Sequence, residues 1–138
     1  MSSRFTELCI DGHDLKKLAD FWCAVLDYKI LDEQPDIIEI GPQWFTGEAG
    51  PELHEQWKAR ARSDPPAPTI VFAIVPEGKE VKNRMHIDVS PLGDQQEEVE
   101  RLLALGATRA DVGQGDVSWV VMRDPEGNEL CVLRSLQK

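Results

Sequence analysis

Polar and apolar residues alternate over Glu7-Leu8-Cys9-Ile10, which predicts a short strand with Leu8 and Ile10 on one side and Glu7 and Cys9 on the other. Asp11-Gly12-His13-Asp14 breaks the alternation with turn and N-cap residues. The period then changes. Leu15, Leu18, Phe21, Trp22, Val25 and Leu26 recur at three- and four-residue spacing, an amphipathic helix whose broad aromatic stripe suits packing on a sheet. Strand-like stretches at 28–31 and 36–40 follow. Residues 41–68 are irregular: Gly41-Pro42, Gly47 and Gly50-Pro51 punctuate them and Pro65-Pro66-Ala67-Pro68 closes them. Within this segment 52–62 reads as a short surface helix carrying Leu53 and Trp57, a lid, a pocket rim or a dimer contact.

A second round of the same pattern begins after a strand at 69–75. A strand is predicted at 85–90. Asp94-Gln95-Gln96-Glu97 has capping-box spacing and opens a helix with Val99, Leu102, Leu103 and Leu105 expected on its buried side. Gly106 stands where a left-handed residue ends such a helix. Strands at 108–112, 118–122 and 129–133 complete the round, the last two joined by the turn Asp124-Pro125-Glu126-Gly127-Asn128. Glu7 begins a strand and Leu26 ends a helix nineteen residues later; His86 and Leu105 repeat that spacing 79 residues on. The expected architecture is α+β, one domain over 1–138 made of two βαβββ modules, about 4–76 with the insert 41–68 and about 81–136. One helix masks only one face of a few strands, so pairing the modules is the natural way to finish the core.

Strand parity sorts the side chains. Met85, Ile87 and Val89 oppose His86, Asp88 and Ser90, and Leu130 and Val132 oppose Glu129 and Cys131. If the sheet curls with its helices on the outer face, Glu7, Cys9, His86, Asp88, Glu129 and Cys131 converge on the concave side. If one face simply meets water, they are solvated. Imidazole, carboxylate and thiol are the groups that bind divalent metals.

Composition narrows the partners. A net charge of −10 with 29% charged residues argues against nucleic acid, which needs a Lys/Arg footprint, and against an anionic membrane surface. No stretch approaches the roughly 20 apolar residues of a membrane span, and Glu7 comes too early for a signal-peptide core. Three widely spaced cysteines, Cys9, Cys23 and Cys131, with no C-x-x-C, read as reduced thiols of a cytoplasmic protein. No nucleophile elbow, P-loop or dinucleotide-binding glycine pattern is present.

Several fragments together resemble the glyoxalase/bleomycin-resistance/dioxygenase, or vicinal oxygen chelate, superfamily, from about Phe5 to Leu133. They are Asp14-Leu15, Phe21-Trp22 and Leu26-Asp27-Tyr28, then His86-Ile87-Asp88-Val89, Leu105-Gly106-Ala107 and Asp124-Pro125-Glu126-Gly127-Asn128-Glu129. The stretch Val81-Lys82-Asn83-Arg84-Met85-His86-Ile87-Asp88 is similar to an uncharacterised glyoxalase-like subgroup. The resemblance implies paired βαβββ modules forming a curved, cup-shaped mixed sheet, usually in a homodimer. It implies metal ligands on the first, fifth and last strands: Glu7, His86, and a carboxylate four residues after Gly127. That last place holds Cys131, with Glu129 two residues nearer on the same strand face. A set of Glu7, His86, Glu129 and Cys131 for one divalent ion, Zn, Mn, Ni or Fe, is therefore softer than the family's oxygen-rich pattern, and a metal-free cup is the equal alternative.

The remaining candidates concern the ligand. Lys82 and Arg84 suit an anionic group, and Arg84 shares the parity of His86. Trp44, Trp57 and Trp119 are stacking platforms or packing residues. Cys9 is a thiol that His86 would have to activate, and Asp88 adds acidity to the cup. His54 stands beside Trp57 as a solvated or rim residue, and His13 reads as surface. Two functions stay open: a metal-dependent lyase, isomerase or dioxygenase-like enzyme, and a metal-free protein of bleomycin-resistance type that sequesters a small molecule.

Overall fold

The first alternation becomes β1 (Glu7–Gly12), and the first helical stripe becomes α1 (Leu15–Leu26), in a computed structural model that describes residues 5–63 and 68–137. The proline run at 65–67 and residues 1–4 lie outside the described residues. The chain divides into two compact units at Glu77/Gly78. Each is a four-stranded βαβββ module.

In the first unit β2 (Tyr28–Gln34), β3 (Ile37–Pro42) and β4 (Thr69–Ile74) follow α1, and α2 (Pro51–Ser63) is inserted before β4. The sheet order is β1-β4-β3-β2, with β1 parallel to β4 and the other pairs antiparallel. Asp14 caps α1, its carboxylate accepting the Lys17 N–H at 3.1 Å. At the other end Asp27 takes φ 54°, a left-handed conformation that its short polar side chain tolerates. Leu15, Leu18, Phe21 and Trp22 are buried, and the helix packs on β2, β3 and β4. Ile38 and Ile40, paired in register with Phe72 and Ile70, form a buried apolar set of one parity.

The opposite parity of this sheet is not left to solvent. Leu31 joins Phe45, Leu53 and Trp57 in a buried cluster, so α2 docks through an i, i+4 pair. The sequence reading of α2 as a surface helix agrees with its mostly exposed residues, while the two apolar residues it carries, Leu53 and Trp57, are core. Glu39 is buried between β4 and α2, where it accepts a hydrogen bond from Thr69 Oγ1 at 2.9 Å and pairs with His54 Nδ1. His54 is therefore half-buried and paired with a carboxylate. Gly41 lies close to its neighbours: a Cβ there would stand 2.6 Å from Leu31 Cδ1, so the buried Leu31 side chain would have to shift.

The second unit contains β5 (Ile87–Val89), α3 (Gln95–Ala104), β6 (Thr108–Arg109), β7 (Val120–Arg123) and β8 (Glu129–Val132), in the order β5-β8-β7-β6. Order and directions repeat those of the first unit, with β5 parallel to β8. The strand predicted at 85–90 is shorter. Upstream of Ile87 the Asn83 N–H goes to the Glu129 side chain, and Met85 is 80% exposed. Asp94 caps α3 by accepting the N–H groups of Gln96 (2.8 Å) and Glu97 (3.0 Å). The helix ends in a Schellman motif: Gly106 (φ 109°) donates to Leu103 O at 3.1 Å and Ala107 to Leu102 O at 3.0 Å. Val99 and Leu102 are fully buried, whereas Leu103 and Leu105 are half-exposed, against expectation. Leu103 lies about 100° round the helix from Leu102, and Leu105 is the cap residue of a helix that has already ended. After two residues β6 gives way to a turn in which Gln114 Oε1 accepts the Val112 N–H at 2.9 Å.

Candidate functional site

The second sheet turns two faces to two environments. Met122, Leu130 and Val132 are fully buried, and α3 packs against β8 and β6. The alternate residues form a row across three strands: Asp88 on β5 is the register partner of Cys131 on β8, which is the register partner of Val121 on β7. This row floors a cavity of about 450 Å³, lined by Lys82, His86, Asp88, Val112, Gln114, Trp119, Val121, Glu129, Cys131 and Leu133. That volume lies within the range that accommodates small organic ligands. Val112, Trp119, Val121 and Leu133 give the lining an apolar part, and Lys82, His86, Asp88, Gln114 and Glu129 a polar one.

His86, Asp88 and Cys131 meet on that floor. His86 Nδ1 lies 2.8 Å from Asp88 Oδ1, and a carboxylate accepts, so Nδ1 carries the proton. The Cys131 thiol lies beside the same carboxylate. Burial pushes this thiol above its ordinary range, and the neighbouring Asp88 charge adds to the rise, so it is protonated at neutral pH. Imidazole nitrogen, carboxylate oxygen and sulfur lie within 4.8 Å of one another.

Glu129 lines the same cavity but is already engaged. Its Oε1 accepts from Lys79 Nζ at 2.8 Å and its Oε2 from the Asn83 N–H at 3.0 Å, with Arg123 Nε 4.0 Å away. Burial alone would raise this carboxyl; Lys79 and Asn83 outweigh burial and hold it below the usual carboxylate range. Asn83 Nδ2 donates to Asn128 Oδ1 at 2.9 Å, and Asn128 donates to Asp124. The loop that delivers Lys82 and His86 is thus tied to the 124–128 turn.

The structure gathers Lys82, His86, Asp88, Glu129, Cys131 and Trp119 from the candidate site residues around one cavity. Arg84 is exposed and outside the cavity lining. Glu7 and Cys9 are exposed residues of β1 in the first unit, where Cys9 has a thiol raised by partial burial and by Asp11 and Glu7. Trp44 stacks on Phe45 at 4.1 Å with the Arg60 guanidinium over its ring, and Trp57 is core; both belong to the first unit. Sequence reasoning missed Val112, Gln114, Val121 and Leu133 as site residues. Val121 was legible as the cross-strand neighbour of Cys131, but Val112 and Gln114 reach the cavity through a turn that alternation does not describe.

The sequence pattern of the glyoxalase-like domain family matches residues 7–133. Comparison with curated proteins finds no match. Among solved structures, a glyoxalase/bleomycin resistance protein/dioxygenase family enzyme from Burkholderia phytofirmans PsJN is similar with a TM-score of 0.61 at 16% identity, covering 97% of this chain and 100% of that one. The fosfomycin resistance protein FosX from Mesorhizobium loti gives 0.62 at 12% identity, covering 96% and 92%. The trypanothione-dependent glyoxalase I of Leishmania major gives 0.59 at 19% identity, covering 96% and 87%.

Proposed function

The chain belongs to the glyoxalase-like domain family, and from that premise we propose that it binds a small organic molecule in the cavity of its second unit. The observation that carries the reading is the mixed lining. Val112, Trp119, Val121 and Leu133 offer an apolar surface to the ligand body, while Lys82, His86, Asp88 and Gln114 orient its polar group. Similar folds occur in a glyoxalase I and in a fosfomycin resistance protein, so the fold does not choose between catalysis and sequestration.

The metal implied by the family resemblance fits these residues poorly. The expected carboxylate position holds Cys131, and both oxygens of the alternative, Glu129, are occupied by Lys79 and Asn83. We therefore favour the sequestering function, in a cytoplasmic homodimer whose two modules act as one domain. Lyase, isomerase or dioxygenase-type catalysis is the second reading, supported by the proximity of His86, Asp88 and Cys131. Ligand-observed NMR with a fragment library in chelator-treated buffer tests the first: the binding reading expects hits that Trp119→Ala loses, and hits indifferent to that change contradict it. Size-exclusion chromatography with light scattering tests the dimer.

A further inference from the structure

We infer that the cavity of the second unit selects organic monocarboxylates, with Lys82 receiving the carboxylate. This rests on the binding reading proposed above and gives that site its ligand class. Both carboxylates of the lining already have donors. Asp88 Oδ1 lies 2.8 Å from His86 Nδ1, and Glu129 accepts from Lys79 Nζ at 2.8 Å and from the Asn83 N–H at 3.0 Å. Lys82 differs from them. Among the described residues it pairs with no carboxylate, and its ammonium donates only to the carbonyl of the adjacent Asn83, at 3.0 Å.

The local balance of charge runs against that of the whole chain. Leaving His86 aside, the cations Lys79, Lys82 and Arg123 stand around the carboxylates Asp88 and Glu129, in a chain whose net charge is −10. The Lys82 charge is also felt on β8. Burial and Asp88 push the Cys131 thiol up, and Lys82 is the group that pulls it down. Gln114 adds a neutral donor to the same lining. Its Nε2 carries two hydrogens and makes one long contact, to Ala110 O at 3.4 Å.

These groups decide the class of ligand. An ammonium without a counter-anion and a neutral amide suit a single negative charge. A phosphate monoester carries about two charges at neutral pH and would leave part of that charge uncompensated beside Asp88. A cationic ligand would meet Lys82 and find both carboxylates engaged. Trp119, 39% exposed, offers the face of its ring to the apolar body of the acid.

Ligand-observed NMR titration of the full-length chain, in chelator-treated buffer of low ionic strength, tests this with matched probes. They are phenylacetate and 1-naphthylacetate, their primary amides, and 2-phenylethylamine and 2-(1-naphthyl)ethylamine. The inference expects each acid to bind at least about fivefold more tightly than its amide, with the amines weakest. Lys82→Met keeps the aliphatic stem, so it should reduce the acid to the affinity of the amide while changing amide affinity by less than about twofold. Lys82→Arg should restore the preference, and Arg84→Met, at an exposed cation outside the lining, should leave it intact. Circular dichroism confirms that each variant is folded. Equal affinity for acid and amide, a preference for the amine, or an acid preference that survives Lys82→Met or disappears in Arg84→Met would overturn the inference and leave the binding reading standing. Failure of every probe to bind would overturn both.

Discussion

Asp88 and Cys131 face each other across the parallel β5–β8 pair, which sets the thiol beside the carboxylate. Burial and this anion both oppose thiolate formation. Alkylation at neutral pH should therefore modify exposed Cys9 well before buried Cys131. Asp88→Asn removes the negative charge, lowers the thiol's titration and should accelerate Cys131 labelling several-fold. Mass spectrometry of timed samples reads both rates, and equal rates for the two cysteines would refute the assignment.

Glu129 and Lys79 make the chain's acid response specific. A carboxyl held below its ordinary range in the folded state contributes stability above its unfolded titration, and that stability is lost as pH falls through the folded value. Glu129→Gln should cost about 1–3 kcal/mol at neutral pH, the worth of a charged hydrogen-bonded partner. The loss should shrink as the solution is acidified through and below the carboxylate range. Denaturant melts at several pH values check the sign.

The α2 cluster predicts two unequal substitutions. Leu53→Ala empties a fully buried site beside Leu31 and Trp57 and should cost about 2–4 kcal/mol. Trp57→Phe should cost only about 1–2 kcal/mol, because the buried indole N–H makes no hydrogen bond to lose. Chemical denaturation followed by far-ultraviolet circular dichroism separates the two.

Gly106→Ala isolates a backbone cost. The nearest atom to an added Cβ is Pro125 Cγ at 3.7 Å, so nothing clashes, yet φ of 109° disfavours any side chain. Destabilisation of about 1 kcal/mol or somewhat more is expected, and a neutral result in thermal melts would mean that the α3 cap relaxes.

What the sequence made legible followed from periodicity. The 3.6-residue stripes of α1 and α3, the Asp14 and Asp94 caps, Gly106 and the alternation around Asp88 and Cys131 all depend on neighbours within a few residues, and they placed both βαβββ modules. Other features depend on partners far along the chain. Upstream of β5 the Glu129 side chain takes the Asn83 N–H across 46 residues, and Leu53 and Trp57 of α2 are buried against Leu31 and Phe45. Alternation likewise identified the cavity floor but not Val112 and Gln114, which lie on a turn.

Chemical-shift mapping tests the central proposal most directly. Fragments that pair an apolar body with one polar group are titrated into isotope-labelled protein, in chelator-treated buffer, and the methyl and indole signals are followed. The account predicts saturable shifts at Val112, Trp119, Val121 and Leu133, abolished when Val112→Trp fills the cavity. Binding that maps to the first unit, or that survives Val112→Trp unchanged, would contradict it.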